Sequence, residues 1–292
     1  MLKYSIEHFK PIVVTVKINI NLLMYFLFPP MSLTQSIRRY KMAYKNYRHV
    51  MLDLATKKEH IKIIAQDGKD SFWNMQKTYL YSLCVENELC NGNLDFFTFE
   101  NSLVPGCMNF KYKSGQLFMC NMDQNHNFLG TFGANEYAFL NVADENVVDI
   151  GSKVGDSPIY FTLNEAKIVI AVPEESFYDP LSKNIKTNDL EKRVIFVRST
   201  YCNSKNDVPL KDLMAKYKLD TGVLKVDGAA SIKKLLSEED ETLKMFKRIQ
   251  ILYEGSPDEI QKRLENAGFK VSLQKRALKN ADANTGFVCA EL

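Results

Sequence analysis

At 292 residues, with 25% charged and 46% hydrophobic side chains, the chain is long enough for one large or two modest domains, each with a real core. A net charge of +3 gives no general attraction to polyanions or membrane surfaces, so neither nucleic acid nor stable membrane insertion is expected. The six cysteines (Cys84, Cys90, Cys107, Cys120, Cys202 and Cys289) form no C-x-x-C pair and do not space with the four histidines into a zinc site. No metal is expected, and reduced thiols in a cytoplasmic protein are.

Residues 1–31 are read as a separate extension. Its apolar patch Leu22-Leu23-Met24-Tyr25-Phe26-Leu27-Phe28 follows Lys17, Asn19 and Asn21 and is far shorter than the roughly 20 residues that span a bilayer. Pro29-Pro30 follows it in place of a small-residue cleavage site. A weak anchor, a β-rich extension and a true start at Met31 all remain open.

Residues 32–145 are expected to be an α+β region. From Ser32 to about Thr56, Ile37, Tyr40, Tyr44, Tyr47, Met51 and Leu54 recur at three and four, which predicts one helix with an apolar stripe. Arg38, Arg39, Lys41, Lys45 and Arg48 lie mostly off that stripe. A basic face with tyrosines is one that would bind nucleic acid; a docked helix with a solvated face is the preferred reading, because the aromatics are the buried side. Gln66-Asp67-Gly68-Lys69 is a turn, and Trp73 to Cys84 a second helix. Between 94 and 132 aromatic residues (Phe96, Phe97, Phe99, Phe110, Tyr112, Phe118 and Phe128 among them) alternate with polar ones, which predicts a small antiparallel region with a hairpin turn at Ser114-Gly115. Glu136 to Leu140 is expected to be a short helix carrying Tyr137 toward the next strand, chiefly for packing.

Residues 146–292 are expected to form a Rossmann-like domain. Val147-Val148-Asp149-Ile150 is a buried strand ending near an acid, Gly151 to Gly155 a turn, and Ser157-Pro158 the start of a helix. Lys167 to Val172 is the next strand, completing a βαβ unit whose ligand would lie where the turn meets the helix. A dinucleotide loop requires G-x-G-x-x-G; here Lys153 replaces the middle glycine and Asp156 the last. Asp149 and Asp156 would repel a pyrophosphate but suit a ligand with an ammonium and a sulfonium, which is what S-adenosylmethionine (SAM) carries. A glycine turn that only packs helix on strand, and an NAD site, are the competing readings.

Further strands are expected at Val194–Val197, Val223–Asp227, Arg248–Tyr253, Phe269–Leu273 and Gly286–Ala290. Helices are expected at Leu181–Leu190, Leu210–Tyr217 and from Ser256-Pro257 to Gly268.

Three stretches then carry a resemblance: Val147 to Phe161 (VVDIGSKVGDSPIYF), Ser182 to Leu190 (SKNIKTNDL) and Val223 to Gly228 (VLKVDG). Together they resemble the FkbM family of class I SAM-dependent methyltransferases. The resemblance implies a seven-stranded sheet with the last strand antiparallel and transfer of a methyl group from SAM, usually to a hydroxyl, here of a small molecule or glycan. It also implies that Asp149, Gly151, Ser152 and Gly155 line the methionine end of the cofactor and that Asp227 lies beside the methyl group. Asp156 is expected to join the cofactor set. The chain departs from the family where Pro173 stands in place of the ribose-binding acid, leaving Glu174 to reach round. It departs again where Gly228-Ala229-Ala230-Ser231 follows Asp227, and at Leu252, where an acid is expected, with Glu254 two residues later. Asp227 would orient a hydroxyl or take its proton; a turn-capping role fits it equally. A degenerate member, keeping the fold as a non-catalytic binding module, is the alternative.

Overall fold

A computed structural model describes residues 33–89, 107–112, 115–120, 128–201, 207–278 and 283–292. The chain divides into two compact units, Met1–Phe97 and Thr98–Leu292.

In the first unit the predicted single helix is two, α1 (Leu33–Ala43) and α2 (Tyr47–Ala55). The break comes at Tyr44, whose backbone bridges Ala65 and whose buried hydroxyl donates to the Thr78 carbonyl at 2.7 Å. Strands β1 (Ile61–Ile64) and β2 (Asp70–Trp73) pair antiparallel across the expected turn, where Gly68 takes a φ of +91°. Helix α3 (Met75–Glu86) begins directly after its cap, Asn74, whose side chain accepts from the Lys77 N–H at 2.8 Å. The solvated-face expectation needs one correction. Arg39 is fully buried, its Nε 2.9 Å from Glu86 Oε2, because α1 packs on α3 along that side.

In the second unit β3 (Cys107–Tyr112) and β4 (Gly115–Cys120) pair antiparallel, as the aromatic alternation predicts; Phe96, Phe97 and Phe99 lie outside the described residues. A π-helical turn (Leu129–Gly133) and a 3-10 turn (Ala138–Leu140) lead into the main sheet. Its elements are β5 (Asn146–Ile150), α4 (Asp156–Leu163), β6 (Ile168–Val172), α5 (Tyr178–Thr187), β7 (Val194–Phe196), α6 (Leu210–Lys216) and β8 (Gly222–Val226). There follow α7 (Ala229–Leu235), α8 (Asp240–Leu243), β9 (Phe246–Glu254), α9 (Asp258–Asn266), β10 (Lys270–Lys275) and β11 (Thr285–Glu291).

The seven strands lie in the order β10-β11-β9-β8-β5-β6-β7. β5 to β9 pair in parallel, and β11 runs antiparallel to both β9 and β10, so the last strand alone is reversed. The chain moves outward from β5 through β6 to β7 and then returns to lay β8 on the other side of β5. That reversal opens a crevice at the carboxyl ends of β5 and β8, the place where open α/β sheets bind ligands. Val148, Ile150, Ile170, Val172, Leu224, Val226, Ile249 and Ile251 fill the core from these inner strands.

Candidate donor site at the switch point

The turn from Gly151 to Gly155 is held from three sides. Both glycines have positive φ, +73° and +98°. A Cβ on Gly151 would stand 2.5 Å from the Asp227 carbonyl oxygen, so the turn is pressed against the end of β8. A Cβ on Gly155 would stand 2.6 Å from Leu181 Cδ1 on α5, so this glycine serves the packing of helix on turn. Asn184, in the segment expected to carry an asparagine-bearing helix, donates from Nδ2 to the Val154 carbonyl at 2.7 Å. Helix α4 begins at Asp156, earlier than expected, which frees the Ser157 hydroxyl to donate to Asp149 Oδ2 at 2.6 Å.

Behind the turn lies a closed charge cluster, where the sequence suggests open carboxylates. Asp149 has no exposed surface; beyond its bond from Ser157, its Oδ1 is 3.0 Å from the Lys225 ammonium. Lys225 is itself buried within β8 and also donates to the Gly151 carbonyl at 2.9 Å. Burial pulls the Lys225 pKa down, but the Asp149 and Asp227 carboxylates outweigh it and raise the pKa above the ordinary lysine value. Asp156 is buried and accepts from the Thr131 hydroxyl at 2.7 Å. Ser152 is buried too, its hydroxyl turned to the Asp149 carbonyl. Asp149, Ser152 and Asp156, expected at the cofactor, thus have their side chains committed to neighbouring groups and to the turn. Tyr137 packs against Phe161 and Phe287, and burial followed by the nearby carboxylates Asp156, Asp227 and Asp149 raises its phenol well above the usual range. It stays protonated.

At the mouth, Lys153 carries its ammonium to Asp227 Oδ2, 2.8 Å away, across the ends of β5 and β8. Burial pushes the Asp227 carboxyl up, yet the Lys225 and Lys153 ammoniums and the Gly228 N–H hold it below the ordinary value. Glu174, just beyond β6, is exposed and reaches over the crevice: its Oε1 lies 3.6 Å from where a Cβ on Gly228 would stand. Among the described residues it has no ion-pair partner. Thus Glu174 approaches Gly228, the residue after Asp227, while Lys153 pairs with Asp227 itself.

Beside Asp227 a cleft of ≈ 620 Å³ opens along α7, the end of β9 and the start of α9. Ile232, Leu236, Leu252 and Ile260 give it an apolar wall; Lys233, Glu254 and Glu259 are its charged lining beyond Asp227. No group of three or more His, Cys, Asp or Glu side chains able to hold a metal occurs among the described residues. No described helix is long and apolar enough to cross a membrane.

Lys225, Thr131 and the pairing of Lys153 are absent from the expected site. Lys225 alone gives a signal in the sequence: a lysine inside Val-Leu-Lys-Val is costly in a buried strand unless an acid faces it.

Seven strands in this order, with only the last antiparallel, are the Rossmann-like fold of class I methyltransferases. No family profile matches the chain, and no curated protein does. Solved structures do. The METTL16 methyltransferase domain matches at a TM-score of 0.45 and 12% identity over 82% of this chain and 88% of that one. M. jannaschii TYW2 in complex with AdoMet matches at 0.40 and 15%, over 65% and 87%. The M. jannaschii tRNA m1G37 methyltransferase matches at 0.42 and 20%, over 63% and 56%. The exclusion of nucleic acid is withdrawn, because the net charge on which it stood cannot carry it. The physical reason is that a net charge sums over the whole surface and reports on no local patch.

Proposed function

We propose that the chain is a SAM-dependent methyltransferase of the FkbM type, with its donor site over the end of β5 and its acceptor in the adjoining cleft. The observation that carries this reading is Glu174: an exposed carboxylate that extends from the end of β6 toward Gly228 at the end of β8. It makes good the acid that Pro173 displaces. Glu174 would accept hydrogen bonds from a pair of ribose hydroxyls, and Asp227 would face positive charge, with the backbone of the glycine turn between them. SAM, when bound, supplies a methyl group on a positively charged sulfur. These residues fit it once the Lys153 ammonium moves aside, which its partly exposed side chain permits.

For the acceptor, the cleft joins an apolar wall to carboxylates at the strand end, which suits a hydroxyl-bearing small molecule or glycan. Asp227, held below its ordinary pKa, is a weak base, so its role is to orient an acceptor hydroxyl rather than to take its proton. Alignment of the reacting groups supplies most of the rate in such a displacement.

The test is equilibrium binding of SAM to the full chain and to its Glu174→Gln and Glu175→Gln variants. Saturable binding that weakens about tenfold or more in Glu174→Gln alone supports the reading; equal behaviour of the two variants removes Glu174 from the site. The prior neutralisation of Asp149 and Asp227 by lysines favours a second reading, a non-catalytic binding module. It predicts binding without methyl transfer to any hydroxyl acceptor.

A further inference from the structure

We propose that Lys153 is a built-in counter-ion of the donor site, occupying the cation position beside Asp227 and lowering the site's preference for the charged donor over its uncharged-sulfur product, S-adenosylhomocysteine. The inference rests on the donor reading above and goes beyond it.

Two lysines face Asp227, and their situations differ. Lys225 is fixed: its side chain is 3% exposed and its ammonium is shared among Asp149 and the carbonyls of Ile150 and Gly151. The Lys153 side chain is 28% exposed, and its ammonium lies 2.8 Å from Asp227 Oδ2. The exchangeable cation of the pair is therefore Lys153. Its backbone is held in the left-handed region, φ +43°, within a turn pressed onto the Asp227 carbonyl, so the side chain starts close to the carboxylate it pairs with.

A ligand that brings positive charge to Asp227 must displace this ammonium or lie beside it. Two like charges at such range repel strongly where burial lowers the effective dielectric. A sulfonium bears that repulsion, whereas the neutral thioether of the demethylated product does not. Removing the lysine charge should therefore favour donor over product, while a structural role for Lys153 would change both affinities alike.

The experiment titrates SAM and S-adenosylhomocysteine separately into the full chain and its Lys153→Met and Lys153→Arg variants. Neither substitution changes the left-handed strain, since none of the three residues is glycine. Lys153→Met is expected to bind SAM about tenfold tighter, with a smaller gain for S-adenosylhomocysteine, and Lys153→Arg to keep the wild-type ratio. In the ligand-free protein, NMR titration of Asp227 is expected to show its carboxyl pKa rising in Lys153→Met. Unchanged or weaker SAM binding in Lys153→Met, an equal gain for both ligands, or an unmoved Asp227 titration overturns the inference and leaves the donor reading standing. Absence of SAM binding in all three proteins overturns the donor reading and the inference together.

Discussion

The Lys225 ammonium lies 3.0 Å from Asp149 Oδ1 inside the main sheet, with both side chains almost entirely out of solvent. A charge left alone there would be far more costly than the pair is favourable. Lys225→Met should therefore destabilise the protein by about 3–5 kcal/mol, and the double change Lys225→Met with Asp149→Asn by distinctly less. Urea unfolding midpoints of wild type and the two variants check this. Equal losses in the single and double variants would mean that the two residues do not act as a pair.

The two turn glycines should respond unequally. A methyl on Gly151 meets the backbone carbonyl of Asp227, which is tied to the end of β8, whereas one on Gly155 meets the tip of the Leu181 side chain, which can rotate. Both substitutions carry left-handed strain of about 1–2 kcal/mol. Gly151→Ala should exceed that cost and Gly155→Ala stay nearer to it, as measured by thermal or urea unfolding.

Asp227 gives a pH dependence with a definite sign. Its folded carboxyl pKa is lowered from the usual 3.8, so its contribution to stability is fully present above that value. The contribution is lost as pH falls through the lowered folded pKa. The stability difference between wild type and Asp227→Asn should be constant near neutrality and shrink below about pH 4. Unfolding free energies measured across the acidic range would show it; a difference that grows on acidification would contradict the assignment.

Thiol reactivity should follow burial. Cys84 and Cys289 are both buried, and burial pushes the Cys289 thiol up to about 12. In the native protein Cys289 should resist alkylation at neutral pH and react only after unfolding. Mass spectrometry of iodoacetamide-treated native and denatured protein checks this, and rapid native labelling of Cys289 would contradict it.

The sheet is legible in the sequence because its inner strands are short β-branched runs bounded by glycine, proline and acid, as at Val147–Ile150 and Ile168–Val172. Helix ends are less so. Ser157-Pro158 reads as a start, but the chain turns helical at Asp156, and the Ser157 hydroxyl donates to Asp149 instead of capping the helix. Strands β1 and β2 escape notice, since four-residue strands carry too little pattern. In the site, the identities of the acids are visible and their environment is not. Whether Asp149 faces a ligand or a lysine depends on which residue of β8 lies beside it, and that is a matter of sheet register. Glu174 is legible as a substitute acid, but its reach toward Gly228 belongs to the path of the chain beyond β6.

On this reading the crevice over β5 takes a cationic methyl donor between Glu174 and Asp227. Isothermal titration of SAM into the full chain, with NAD as the comparison ligand, tests that most directly. Saturable micromolar binding of SAM at one site per chain, and none of NAD, is the expected result; no binding of SAM, or binding of NAD in its place, would contradict it.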